Sequence, residues 1–367
     1  MTTDQIWRSE EQAVFALRGL YQRYGYAPYK MSQFEEYDLY VRNKDFLISD
    51  KIITFSGEGG KLMALKPDVT LSIVKNAPEA PGVVQKVYYS ENVYRDYREI
   101  MQAGLECVGD LTQYDIAEAV LLAVKSLDIL GGRYVLDISH MGLLAAVLER
   151  CGFDRGMQKQ AMACLRQKNT HDLRALCGEN EDAWRTLQAI SACRGGAETL
   201  EALTPYLTGE AEQAAVRELK ALLEILAQSG YADKVRLDFS VSNDLGYYSG
   251  VVFRGYLEGI PESVLSGGQY DKLPRKMGRR SKAIGFAVYV DLLQERSREE
   301  NPFDVDTLIL HDGTTPLTEL TKTAEAAAKD GSVLVATKTP KGRSWKTLVD
   351  LRGGPGFRLL AGPESRR

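Results

Sequence analysis

The feature that most constrains this chain is an interruption. From about Asp154 to Gly230, Ala, Leu, Gln, Arg and Glu dominate and little is β-like, while strand-like runs lie on both sides. Apolar residues at helical spacing read as helices, and β-rich runs bounded by turn residues read as strands. The pattern predicts a sheet domain built from two separated halves, with a separate all-helical segment inserted between them.

Before the interruption, an amphipathic helix is expected over residues 4–24, with Gly25 as its stop. Strand-like pieces follow at residues 28–30, 51–55 and 62–65. Residues 67–75 read as a helix with Pro67 in its first turn and Asp68 near its positive end. Residues 83–89 and 102–108 read as strands, 114–130 as a long helix closed by Gly131 and Gly132, 134–139 as a strand and 142–150 as a helix. After the interruption, strands are expected at 235–241, 250–256 and 262–266, then a helix over about 283–295. The charged stretch 295–301 reads as a linker. Strand (307–310), helix (about 317–329) and strand (333–336) then predict a small α/β tail. The expected division is a core over 1–300, including the insertion at about 154–230, and a tail over 301–367. The fold class is α+β.

Composition narrows the function classes. The 367 residues are 44% hydrophobic and 26% charged, as in globular proteins. The formal net charge is −4, which disfavours wrapping a nucleic acid whose binding rests on phosphate neutralisation. Five scattered cysteines with no C-x-x-C pair, and only three histidines, make a zinc site unexpected and fit a reducing cytoplasm. The acidic, polar start is not a signal peptide, and no apolar run approaches the ~20 residues a membrane span needs.

Five blocks carry the chemistry. They are Lys66-Pro67-Asp68-Val69-Thr70; Tyr94-Arg95 with Gln102-Ala103-Gly104-Leu105-Glu106-Cys107-Val108-Gly109; Leu245 to Phe253; Gly267-Gly268-Gln269-Tyr270-Asp271; and Ala283 to Ala287. Any one is weak. Adjacent tyrosines usually pack strands, a lone glutamate is usually solvated, and paired glycines usually turn the chain. In this order and spacing, the set resembles the catalytic core of the class II histidyl-tRNA synthetases.

The resemblance implies a class II synthetase-like antiparallel sheet flanked by helices and a pocket for histidine. Asp68, Gln102 and Glu106 supply oxygen atoms for the ammonium group, and Gln102 and Glu106 share one face of an extended strand. Arg95 offers a fork for the carboxylate. Thr70 adds a hydroxyl, and Tyr247, Tyr248 and Tyr270 offer flat walls with polar tips for the imidazole. These eight are the expected histidine-binding residues.

Two departures matter more. Where the synthetases carry the arginines that meet ATP, this chain has Asn243 and Leu292. The motif 2 loop is cut to Asp96 to Met101, Lys66 stands for an arginine, Asp68 for a glutamate, and Ser32 for the usual motif 1 proline. Adenylation needs preorganised cations against the developing phosphate charge, so none is expected, and no catalytic residue is assigned. The tail is shorter than the family's anticodon-binding domain. It reads as a reduced version or an unrelated extension closing in Gly353-Gly354-Pro355-Gly356, and its Lys338, Lys341, Arg343 and Lys346 read as a solvated loop.

The pattern resembles that of the regulatory subunits of the short-form ATP phosphoribosyltransferase, which are similar to the synthetases but do not aminoacylate. The implied role is in the first step of histidine biosynthesis, with a short catalytic subunit as partner, L-histidine as effector, and a homodimer inside a hetero-oligomer. No cofactor, membrane or tRNA partner is expected. A divergent histidyl-tRNA synthetase, and a tRNA or amino-acid sensor with no phosphoribosyltransferase partner, are the other readings.

Overall fold

The computed structural model describes residues 9–47, 51–241, 246–293 and 303–353, and the backbone of 358–361. Helix α1 (Ser9–Arg23) buries Leu17, Leu20 and Tyr21 along one stripe; residues 4–8 of the expected helix lie outside the described residues. After the short strand β1 (Ala27–Pro28) come β2 (Phe34–Glu36), helix α2 (Tyr37–Arg42), β3 (Thr54–Ser56) and β4 (Leu62–Leu65). Strands β2, β4 and β3 form a small antiparallel sheet. Helix α3 (Thr70–Asn76) then buries five consecutive residues, Thr70 to Val74.

The next two strands, β5 (Val84–Arg95) and β6 (Arg98–Gly109), are 12 residues each, longer than their apolar cores alone suggest. They form a hairpin whose turn is Asp96 and Tyr97, at φ 52° and 63°. Positive φ at both turn residues is what the tightest hairpins need. The shortened loop expected at 96–101 is therefore only this turn, and 98–101 are strand.

Helix α4 (Gln113–Leu130) begins in a capping box, with Thr112 and Asp115 satisfying each other's backbone N–H, and ends at Gly131, φ 75°. Strand β7 (Tyr134–His140) and helix α5 (Met141–Arg150) follow. The inserted segment contains α6 (Arg155–Gln167), α7 (Thr170–Cys177) and α8 (Glu181–Ala192), each started by an Asp or Asn side chain that accepts a backbone N–H. It is neither all-helical nor separate. Strand β8 (Arg194–Gly195) precedes α9 (Ala197–Leu203) and α10 (Glu210–Gln228), and it pairs with β9 (Val235–Asp238) at the edge of the main sheet. Helix α10 packs on α5 and α4. Two residues of strand carry too little pattern to be read beforehand.

The sheet is completed by β10 (Val251–Leu257), β11 (Leu265–Gln269) and, after helix α11 (Lys272–Lys276), β12 (Lys282–Tyr289). The helix expected over about 283–295 is thus corrected to strand β12 and a 3₁₀ turn, Val290–Leu292. The reason is burial. Strand β12 lies mid-sheet between β6 and β11, and Ala283 to Phe286 are all buried, so the run lacks the polar alternation that marks a half-buried strand.

Among the described residues the nine strands run β1-β5-β6-β12-β11-β10-β7-β9-β8. From β5 to β7 every pair is antiparallel, while β1–β5 and β7–β9 are parallel. Helix α4 covers one face, so closely that a Cβ on Gly255 would meet Leu127 at 2.7 Å. The opposite face carries the site. Residues Ala13–Leu292 form one compact unit.

The tail carries a sheet of its own. Strand β13 (Val305–Leu310) pairs in parallel with β14 (Val333–Ala336) and β15 (Trp345–Asp350), and β15 pairs antiparallel with β16 (Arg358–Ala361). Helix α12 (Leu317–Asp330) bridges β13 and β14, with Leu320, Ala324 and Ala327 packed near Ile309 and Val349. Lys338, Lys341, Arg343 and Lys346 are all exposed. Residues 354–356 of the closing glycine-proline run lie outside the described residues.

Candidate functional site

Register builds the site. Glu106 on β6 stands opposite Val87 on one side and Gly285 on the other, with Gly268 and Val252 continuing the row. The adjacent row on the same face reads Tyr89, Gly104, Ala287, Ser266 and Arg254. Gln102 begins a third row, between Glu91 and Tyr289. The floor is hollow because side chains are missing from it. A Cβ on Gly285 would lie 1.7 Å from Glu106 Oε2, and one on Gly104 would lie 2.2 Å from the Phe286 carbonyl oxygen and 2.7 Å from the Tyr89 hydroxyl. At Gly268, φ +159°, a Cβ would meet the Tyr248 ring at 2.8 Å. The glycines let one carboxylate and one ring lie flat on the sheet.

All eight residues singled out from the sequence line one cavity of about 60 Å³ above this floor. Glu106 is 2% exposed. Its Oε1 accepts a hydrogen bond from Thr70 Oγ1 at 2.7 Å, and its Oε2 accepts one from the Tyr270 hydroxyl. Burial pushes the Glu106 carboxyl up to about 8; the two hydrogen bonds oppose this and the nearby Asp68 adds to it. Asp68 accepts the Leu71 N–H at 2.9 Å at the start of α3. Burial raises its carboxyl as well, against the neighbouring Arg95 charge.

Arg95 and Gln102 are both buried, and among the described residues Arg95 Nε and Gln102 Nε2 have no hydrogen-bond partner. Orphaned buried donors cost about 1–3 kcal/mol each, so two beside one cavity mark where an acceptor would be stabilised. The walls are aromatic. The Tyr247 ring lies 4.5 Å from that of Tyr248, 5.9 Å from Tyr270 and 5.5 Å from Phe46, centroid to centroid.

Sequence reasoning missed Tyr89, Ser266 and Tyr289, which also line the cavity. Alternation along β5 was the available signal for Tyr89, since it shares a face with Glu91. The two positions noted for absent arginines part ways here: Leu292 ends the 3₁₀ turn after β12 and is half-buried, while Asn243 lies outside the described residues.

A mixed sheet with a long hairpin, a glycine-hollowed floor and a helical insertion defines a class II aminoacyl-tRNA synthetase-like protein. Residues 3–293 match the family model described as histidyl-tRNA synthetase, and the chain belongs to that family. It is similar to an ATP phosphoribosyltransferase regulatory subunit of Bacillus cereus, 25% identical over 342 residues that cover 88% of this chain and 80% of the relative. Among solved structures it resembles a Bacillus halodurans protein described as an ATP phosphoribosyltransferase regulatory subunit/histidyl-tRNA synthetase, at TM-score 0.71, 22% identity and 95% coverage of each chain. It also resembles a chain of the Thermotoga maritima ATP phosphoribosyl transferase (HisG:HisZ) complex, at TM-score 0.61, 17% identity, 77% of this chain and 97% of that one. Among the described residues, no helix is long and apolar enough to cross a membrane.

Proposed function

We propose that this chain is a regulatory subunit of ATP phosphoribosyltransferase, without catalysis of its own, that binds L-histidine in the cavity and reports it to a short catalytic subunit in the cytoplasm. The observation that carries the reading is that relatives bearing that name match along 88% of the chain. A feedback subunit needs a metabolite site, and the cavity offers one with matching chemistry. Asp68, Glu106 and the side-chain oxygen of Gln102 face a cation, the orphaned donor of Arg95 faces a carboxylate, and the tyrosines flank a flat ring.

The absence of ligase chemistry rests on charge. Asn243 and Leu292 supply no cation to a developing phosphate charge, and the two-residue turn at Asp96 and Tyr97 leaves no loop to close over a nucleotide. Histidine that binds one state of the complex better shifts the population toward it, by no more than its differential affinity, typically ~1–3 kcal/mol. A homodimer within the hetero-oligomer, with no tRNA, completes the reading.

The test is co-purification with a short catalytic subunit, followed by phosphoribosyl-ATP formation with and without histidine. Complex formation, stimulation by this chain and inhibition by histidine are expected. No complex and no stimulation would overturn the assignment. Histidine-dependent ATP–pyrophosphate exchange by the isolated chain would establish the ligase reading instead.

A further inference from the structure

A groove of about 450 Å³ lies on the other face of the sheet and shares no lining residue with the cavity around Glu106. Register places it there. Val251 and Gln269 adjoin Val252 and Gly268, members of the Glu106 row, and Lys282 stands three residues before Gly285, so all three side chains point away from the first cavity. We propose that this groove is a second binding site, for a small aliphatic amino acid, with Glu218 taking its ammonium group and Lys282 its carboxylate.

The walls are aliphatic. Leu111 and Ile116 lie just before and within the first turns of α4, Ala221, Leu222 and Ile225 form one stripe of α10, and Val251 adds to the floor. Ile225 is 39% exposed, so apolar surface is left open to solvent in a concavity of ligand size.

The polar end carries both signs of charge. Glu218 lies on the same stripe of α10, one turn before Leu222. A buried histidine holds its carboxylate in place. His140, at the start of α5, accepts the Leu143 N–H on Nδ1 at 3.0 Å, so Nε2 carries the ring proton and donates to Glu218 Oε2 at 3.1 Å. That hydrogen bond keeps the Glu218 carboxyl below its ordinary range, against burial, and the nearby Lys282 charge adds to the lowering. Yet Glu218 and Lys282 form no ion pair with each other among the described residues. Opposite charges that feel each other without touching, at one end of an aliphatic groove, suit a zwitterion with a hydrocarbon side chain, because each charged group of the ligand then gains one partner. A plain amine would meet Lys282 unmatched, and a plain carboxylate would meet Glu218 unmatched.

The two sites stand back to back on β11. Gln269 lines the groove, and the next residue, Tyr270, donates to Glu106 in the first cavity. The sheet stands between them, so one ligand does not reach both.

Calorimetry on the full chain with L-leucine tests this, with isopentylamine and isocaproate as leucine skeletons that keep one charge each. Leucine is expected to bind, and each analogue to bind roughly tenfold more weakly or worse. Glu218→Gln keeps an acceptor for His140 and removes the charge, and Lys282→Met removes the other. Each should lower leucine affinity roughly tenfold or more while L-histidine affinity stays as in the wild type. Both positions are exposed, so both variants should fold. No binding of leucine, or leucine affinity unchanged in both variants, overturns the proposal. Analogues that bind as tightly as leucine overturn the zwitterion assignment. Because leucine is titrated alone, a wild-type chain that ignores histidine would strike the functional reading above and leave this one standing.

Discussion

Glu106 makes the sharpest prediction, because its carboxyl is both the floor of the cavity and the group that burial shifts most usefully. It is 2% exposed and pushed up to about 8 from an ordinary 4.5. In the unfolded chain it loses its proton near the ordinary value. Between those two pH values the folded state therefore binds more protons than the unfolded one, and its contribution to stability falls as pH rises. Over the whole window the difference of about 3.5 pH units corresponds to on the order of 5 kcal/mol. Glu106→Gln removes the titration and keeps the shape. Urea denaturation from about pH 5 to about pH 8 should show the variant gaining on the wild type by several kcal/mol as pH rises.

The same carboxyl ties ligand binding to protons. A bound cation favours the ionised form, so a ligand ammonium meeting Glu106 must displace its proton below about pH 8. Histidine affinity should then rise about tenfold per pH unit in that range and level off above it. The ligand titrates too, so the quantity to follow by calorimetry is the ratio of wild-type to Glu106→Gln affinity, in which that titration cancels. A ratio independent of pH between about 6 and 8 would refute the reasoning.

Three further outcomes are expected. Gly285→Ala puts a methyl 1.7 Å from Glu106 Oε2 and 2.5 Å from the Leu105 carbonyl oxygen; since backbone cannot yield cheaply, it should cost about 1–3 kcal/mol in urea melts and abolish histidine binding. Arg150→Met strands Glu212, which is 1% exposed and accepts from Arg150 Nε at 2.6 Å; a loss of about 3–5 kcal/mol is expected, and a loss under about 1 would show that the charge finds another partner. Tyr248→Ala should weaken histidine binding roughly tenfold in calorimetry without altering oligomer size in gel filtration, and unchanged affinity would remove this ring from the site.

What could be read from the residues alone follows how each element meets solvent. Strands β4 and β14 stand at the expected bounds, Leu62–Leu65 and Val333–Ala336, because turn residues bracket them. Strand β12 was misread as helix because it is buried at the centre of the sheet. The site residues were legible as motifs, and Gln102 and Glu106 as a pair on one face, because period-two alternation is local. Their convergence was not, since it depends on Glu106 facing Gly285 across β6 and β12, residues far apart in sequence.

The glycines explain how a flat sheet can hold a ligand and also how it could report one. A pleated surface has no depth unless side chains are deleted from it, and here the deletions at Gly104, Gly268 and Gly285 fall on three successive strands, β6, β11 and β12. Cavity depth is thus a property of strand register, and slipping β12 by one residue would turn Ala283 to Phe286 over and fill the floor. A molecule seated there touches the turn into α3 through Asp68 and α3 itself through Thr70, β6 through Gln102 and Glu106, and the segment before β10 through Tyr247 and Tyr248. It therefore ties together elements contributed from both sides of the helical insertion. A subunit that must pass an occupancy signal to a partner needs such a joint, because ligand energy can shift an equilibrium only where the two states differ in contact with the ligand.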